Sequence, residues 1–369
     1  GVNNTVSAYA NTQFNDSILL TQSLLGQNIS AVNGNIHSYL TLEAGELTEL
    51  FSEVAVTTNL TDIDLAVNYQ AQSEQSLAVI GSFTPEHVAH LTQLLPPKYL
   101  GQNTYEYLQS ALATPEQPGK VTRADILWHG NPSQFPYAAN EGIFQAQINV
   151  IDTHFLFAKG WPGLTELSLQ LFFENADLNI SAPSAQLLDV QMNALEASIP
   201  GLSGDSLLTI DASATGTGFA LSEVMENSNL KDSLGKLLTE NIIISNALSA
   251  NLQLEIPFYD APVVTKGSIK LPNNYVIFND IDTTLSQAKG TISFVNDTVT
   301  IAGLSANLLG QAITVDATTQ RKEDSYAVNI GLNGDWDSAQ LIAQLSPTYA
   351  EAISGASAWK ANIDLAFLT

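Results

Sequence analysis

Five histidines, His37, His87, His90, His129 and His154, are the side chains of this sequence most able to hold a metal or move a proton near neutral pH. His87 and His90 stand three residues apart on a predicted helix, which could aim two imidazoles at one ion. Zinc needs a third protein ligand at suitable spacing, and none follows, so the pair reads as a solvated helix face. Asp152, Glu174 and Asp177 could supply the two carboxylates of a glycoside hydrolase. They fall in turn sequences, however, where carboxylates cap backbone groups and hold water. No Gly-x-Ser-x-Gly elbow, phosphate loop or dinucleotide fingerprint occurs. With no cysteine, a disulfide framework and a thiolate site are both excluded. The residues thus assign no catalytic group, metal ligand or cofactor, and the expectation is a protein that is not an enzyme.

The residues that do carry a pattern are apolar. In the stretch Glu141 to Ile180, Leu167, Leu169, Leu171 and Phe173 alternate with Glu166, Ser168, Gln170 and Phe172, and Leu178 and Ile180 resume the beat after a turn. A period of two makes these strands with one apolar face and one wet face. The connections Gly160-Trp161-Pro162-Gly163 and Glu174-Asn175-Ala176-Asp177 are short and polar, as an antiparallel meander requires. Strand parity turns Phe172 to the opposite face from its neighbours. Phe155, Phe157, Trp161 and Phe173 are either plain sheet core or part of an apolar path, and the alternating set is expected to line a groove or to form a core.

Read from its start, the chain repeats this theme. Strands fill residues 1–80, with Ile63, Leu65, Val67 and Tyr69 in alternation. A helical insert is expected over 81–118: Thr84 as N-cap and Pro85 at the first helical position open one helix, Pro96-Pro97 ends it, and Gln102 to Ala113 forms another. A β-meander follows over 119–218. A second helical insert over 219–240 carries Val224, Met225, Leu230, Leu234, Leu237 and Leu238, read as two short helices. A further meander spans 241–335, and 336–369 supplies a last helix, Ala339 to Leu345, and a terminal strand. Echoes such as Phe173-Glu174-Asn175 with Phe294-Val295-Asn296, and Thr209-Ile210-Asp211-Ala212 with Thr314-Val315-Asp316-Ala317, point to one motif used in succession. The fold class is therefore mainly β, a long curved antiparallel sheet with short helical inserts, in one elongated unit.

Composition limits what such a sheet can meet. Only 13% of residues are charged, and the net charge is −25. A surface this negative repels phosphate backbones and anionic headgroups, which argues against nucleic acid and against lying flat on a bilayer. Lipid contact would have to run through acyl chains. No run approaches the roughly 20 apolar residues that span a membrane, and the first residues lack the pattern of a secretory signal. Asn362 to Leu368 reads as a strand that stops without a turn, so the expectation is a piece of a longer chain.

Leu95-Pro96-Pro97-Lys98-Tyr99-Leu100, the helix from Tyr105 to Leu112, Phe135-Pro136-Tyr137, Gly142-Ile143-Phe144, Gly160-Trp161-Pro162 and the strand pair from Leu171 to Ile180 carry a resemblance. Together, in this order, they resemble the AsmA-like proteins of the Gram-negative envelope, over Leu95 to about Phe258 and more weakly to Leu368. What the resemblance implies is a U-shaped, taco-like β-groove of repeating segments that bridges the periplasm, anchored in the inner membrane by a segment absent here. It also implies phospholipid acyl chains as cargo, and as further partners the neighbouring repeats and proteins of the inner and outer membranes. Leu167, Leu169, Leu171, Phe173, Leu178 and Ile180 would then line the groove. The alternative is a non-transporting scaffold for outer-membrane assembly, in which the same sheet closes on itself.

Overall fold

The computed structural model describes residues 5–74, 76–112, 118–202, 205–322, 325–338, 342, 348 and 355–368. Alternating apolar positions make strands, and short turns bring each strand back beside the last. The first five are β1 (Thr5–Leu19), β2 (Ile29–Glu43), β3 (Glu46–Thr58), β4 (Thr61–Gln70) and β5 (Leu77–Pro85), with one helical turn, α1 (Gln22–Leu25), between β1 and β2. A helical insert of α2 (Val88–Leu94), α3 (Pro97–Leu100) and α4 (Gln102–Leu112) interrupts the run. The sheet resumes with β6 (Pro118–Gly130), β7 (Ile143–Phe155), β8 (Leu164–Glu174), β9 (Asp177–Ala182), β10 (Ala185–Leu187), β11 (Val190–Ile199) and β12 (Leu207–Thr217).

A second insert holds α5 (Gly218–Glu226) and two π-helical turns, Lys231–Gly235 and Leu237–Asn241. After it come β13 (Ile242–Ile244), β14 (Ala247–Pro257), β15 (Val264–Phe278), β16 (Thr283–Val295), β17 (Thr298–Leu308), β18 (Gln311–Lys322), β19 (Ser325–Asp337) and β20 (Ala356–Leu368). All twenty strands belong to one curved, groove-forming antiparallel sheet. Strands pair in chain order. β9 and β10 lie end to end between β8 and β11, and β13 and β14 share β15 as partner.

Turn chemistry keeps the order. Ala44-Gly45 and Leu309-Gly310 both hold positive φ at two successive residues, the geometry that matches strand twist in two-residue hairpins. Curvature comes from bulges: pairing slips between Val150 and Thr153 and between Ser286 and Lys289, where Asp152 and Gln287 sit at φ 52°. In β15 the slip between Leu271 and Asn274 tucks the Asn274 amide inside, where it donates to the carbonyls of Ser245 and Ala247.

Cross-strand partners share a face, and the register gives one unbroken apolar row. Ile36 stands opposite Val54, then Leu65, Gly81, Ile126, Ala146 and Phe173 in turn. What covers this row changes along the sheet. Over β2 to β5 it is only half-buried. Over β6 to β12 it is packed by α2–α4 into a core that includes Val88, Leu108, Ile148 and Ile199. From β13 to β19 a second core forms beneath α5 and the π-helical turns, and Met225 packs against both.

The helices differ from the sequence reading at four places: α1 interrupts the strands expected to fill 1–80, and α3 starts at Pro97, where a helix is expected to end. Thr84 and Pro85 do not open α2; β5 runs through Pro85, which faces Thr61, and α2 starts at Val88 with His87 in the N-cap position and no side-chain cap. Proline at a strand end loses no needed donor, so it fits there as well as at a helix start. The second insert is one α-helix and two π-helical turns in place of two short helices. All but residue 342 of the expected helix from Ala339 to Leu345 lies outside the described residues.

Candidate functional site

Leu167, Leu169, Leu171, Phe173, Leu178 and Ile180 sit on one face of β8 and β9, with Leu171 opposite Ile180 and Phe173 opposite Leu178. Their exposure lies between 0% and 6%. The helical insert is what closes over this region, since Val88, Leu91, Leu108 and Leu112 share the same core. Helix α4 is pinned across the strands by three side chains. Thr104 donates to the Leu202 carbonyl at 3.1 Å, Tyr107 to that of Phe157 at 3.0 Å, and the Asn103 amide to that of Phe258 at 2.7 Å. Burial pushes the Tyr107 hydroxyl well above the ordinary tyrosine pKa.

Space remains elsewhere on the same row. A cavity of about 200 Å³ lies between the second half of the sheet and the second insert. Leu271, Leu304, Val315 and Ile330 form its floor, and Leu221, Val224, Met225, Leu234 and Leu237 its roof, with Trp161 among the remaining walls. Asn251, Thr265 and Thr319 are the polar residues on its lining, and the Thr319 hydroxyl is occupied by the Tyr326 hydroxyl at 2.9 Å and the Val299 amide at 2.7 Å. None of the six residues on β8 and β9 is part of this lining. The sequence signal that could have found it was the apolar spacing of Val224, Met225, Leu234 and Leu237. What that spacing could not show is that their roof stands off the sheet.

The polar candidates stay apart, and the Nδ1 atoms of His90 and His154 are buried without a hydrogen-bond partner. The His87 and His90 rings lie 5.8 Å apart, His37 bonds Tyr9 at 2.9 Å and Asn35 at 2.9 Å, and the His154 ring rests on Gly163. Among the described residues no three of His, Asp or Glu gather as metal ligands. Glu174 accepts from the Gln145 amide at 2.6 Å, Asp177 from the Gly201 N–H at 2.9 Å, and Asp152 forms a bulge.

The motifs that carry the resemblance are packing devices in this fold. Tyr137 lies where a Cβ on Gly130 or Gly142 would strike its ring at 2.8 and 2.7 Å, and its hydroxyl accepts from the Trp128 indole at 2.5 Å. Gly160 meets Asn229, whose amide donates to the Lys159 carbonyl at 2.9 Å and ties the second insert to the Trp161-Pro162 turn. The family model described as YhdP protein matches residues 9–368. The chain belongs to the YhdP family. Over 299 residues it is 32% identical to the intermembrane phospholipid transporter YhdP of Escherichia coli K12, covering 80% of this chain and 23% of that protein. The chain thus spans under a quarter of the length of this YhdP relative. No solved structure matches it. No helix among the described residues is long and apolar enough to cross a membrane.

Proposed function

We propose that this chain is one segment of a periplasmic bridge that carries phospholipids between inner and outer membranes by sheltering their acyl chains against the apolar row. The observation that carries the reading is the row itself, which continues through strand after strand and keeps an apolar cavity after the helices have packed. The name of the Escherichia coli relative supports phospholipid as cargo. Mechanism follows from partition: each methylene removed from water contributes about 0.8 kcal/mol, so part of one chain in the groove is held without any bond being made or broken. Headgroups stay in water at the open side. The protein is anchored in the inner membrane by another segment, and β1 and β20 continue into neighbouring repeats. The six residues of β8 and β9 form the covered part of the same path.

A second reading has its own support in the dry packing of those six residues, which suits a closed scaffold. The two separate by mass spectrometry of phospholipid on the full-length protein, made in the periplasm and purified without detergent. Co-purifying phospholipid in whole-number ratio supports carriage, and a Val54→Asp, Leu65→Asp variant on the half-buried part of the row should lose part of it. Lipid-free protein with its β-rich circular dichroism intact supports the scaffold.

A further inference from the structure

The cavity beneath the second insert differs in kind from the open part of the row. Its floor is sheet, its roof is helical, and its polar lining is already bonded at Thr319. None of the buried side-chain polar atoms left without a partner, among the described residues, belongs to a residue on this lining. Such a space offers nothing to a peptide backbone or a headgroup, each of which would lose its hydrogen bonds to water there. A dry apolar cavity instead takes an apolar guest. Methionines at two points of the wall, Met192 and Met225, give the surface that adapts to a flexible one.

We propose that this cavity is a distinct binding chamber for the end of a single phospholipid acyl chain, set apart from the helix-packed stretch of β8 and β9 and partly roofed by the second insert. The proposal rests on the reading of the chain as a phospholipid carrier and assigns the place and the chemical part of the lipid. The insert's construction fits the role. Its inner residues are apolar, whereas Glu226, Lys231, Asp232 and Glu240 on its outer side are exposed. It is fastened at its margins by polar side chains: Asn229 to the Lys159 carbonyl, Asn241 to Asp280 at 2.8 Å, and Asn279 to the Glu240 carbonyl at 2.7 Å. Within it, Ser222 donates to the Leu238 carbonyl at 3.1 Å, and the π-helical turns are of the kind that recurs at functional sites.

The test uses full-length protein and vesicles of phosphatidylethanolamine with a diazirine at the end of one acyl chain. After photolysis the labelled residues are mapped by peptide mass spectrometry. The expected result is label on lining residues such as Met225, Leu271 and Val315, with little on 164–182. An Ala214→Trp variant, which fills the chamber from its wall, should lower that label about tenfold, the equivalent of roughly two methylenes denied a dry site. Label concentrated on 164–182 would leave phospholipid carriage standing and overturn the chamber. Label on the open row of β2 to β5 alone would overturn it likewise. A chain that takes no label at any position would overturn the chamber together with the carrier reading beneath it.

Discussion

At the scale of single residues, this sheet is held by pairs that a period-two reading does not distinguish from any others. Gly267 faces Phe294 across β15 and β16, and a Cβ there would come within 2.4 Å of the Asn251 carbonyl and 2.5 Å of the ring. A ring laid over a strand glycine restores the contact the missing side chain gives up. Because one of the obstructing atoms is backbone, Gly267→Val should destabilise β14 to β16 by about 1–3 kcal/mol, seen as faster hydrogen exchange in those strands. Tyr326 is the polar counterpart. The residue is 1% exposed; its hydroxyl donates to the Asp297 carbonyl and bonds Thr319, and burial pushes its pKa to about 12. Tyr326→Phe should cost about 1–3 kcal/mol, since two buried partners lose their bond. The sign of the pH effect follows from the protonated form being favoured in the folded chain. Its contribution is fully present below the unfolded value of 10.0 and is lost as pH rises from there through about 12, which a melting series in that window would record.

At the scale of elements, strands were legible and their cover was not. A two-residue period is local, so Leu167 to Phe173 and Ile63 to Tyr69 announce strands without any knowledge of the fold. Helices α2, α4 and α5 were legible in place but less so at their ends, since Pro85 suits a strand end as well as a helix start, and the short α1 and α3 were not. Which stretch of the apolar row lies open is a tertiary fact: Val54 and Leu171 have the same kind of sequence neighbourhood, yet one is half-buried and the other lies under α2–α4. The same substitution should therefore act differently at the two. Leu171→Asp places an unpaired charge in a closed core and should cost at least about 3 kcal/mol, whereas Val54→Asp, near water, should cost about 1 kcal/mol. Local exchange protection in β8 and in β3 would measure each. Equal losses at both sites would mean that the helical insert does not stay seated over β8 and β9.

At the scale of the whole molecule, two surfaces of opposite character stand side by side, an apolar row running along the sheet and a carboxylate-rich exterior with net charge −25. On the proposed reading the row takes the same tails whatever headgroup they carry, and choice between lipids falls to the exterior field. That field repels an anionic headgroup as it nears the groove and acts less on a zwitterionic one, and it reaches only about 10 Å at 0.1 M salt. Uptake from phosphatidylglycerol vesicles should accordingly be slower than from phosphatidylethanolamine vesicles at low ionic strength, and the difference should shrink as salt screens the carboxylates. Fluorescent-lipid transfer measured across a salt series would show the two rates converging. Rates that differ equally at every salt concentration would place headgroup choice in a local contact. Rates equal throughout would mean that the chain end, drawn into an uncharged interior, sets the pace before the headgroup arrives.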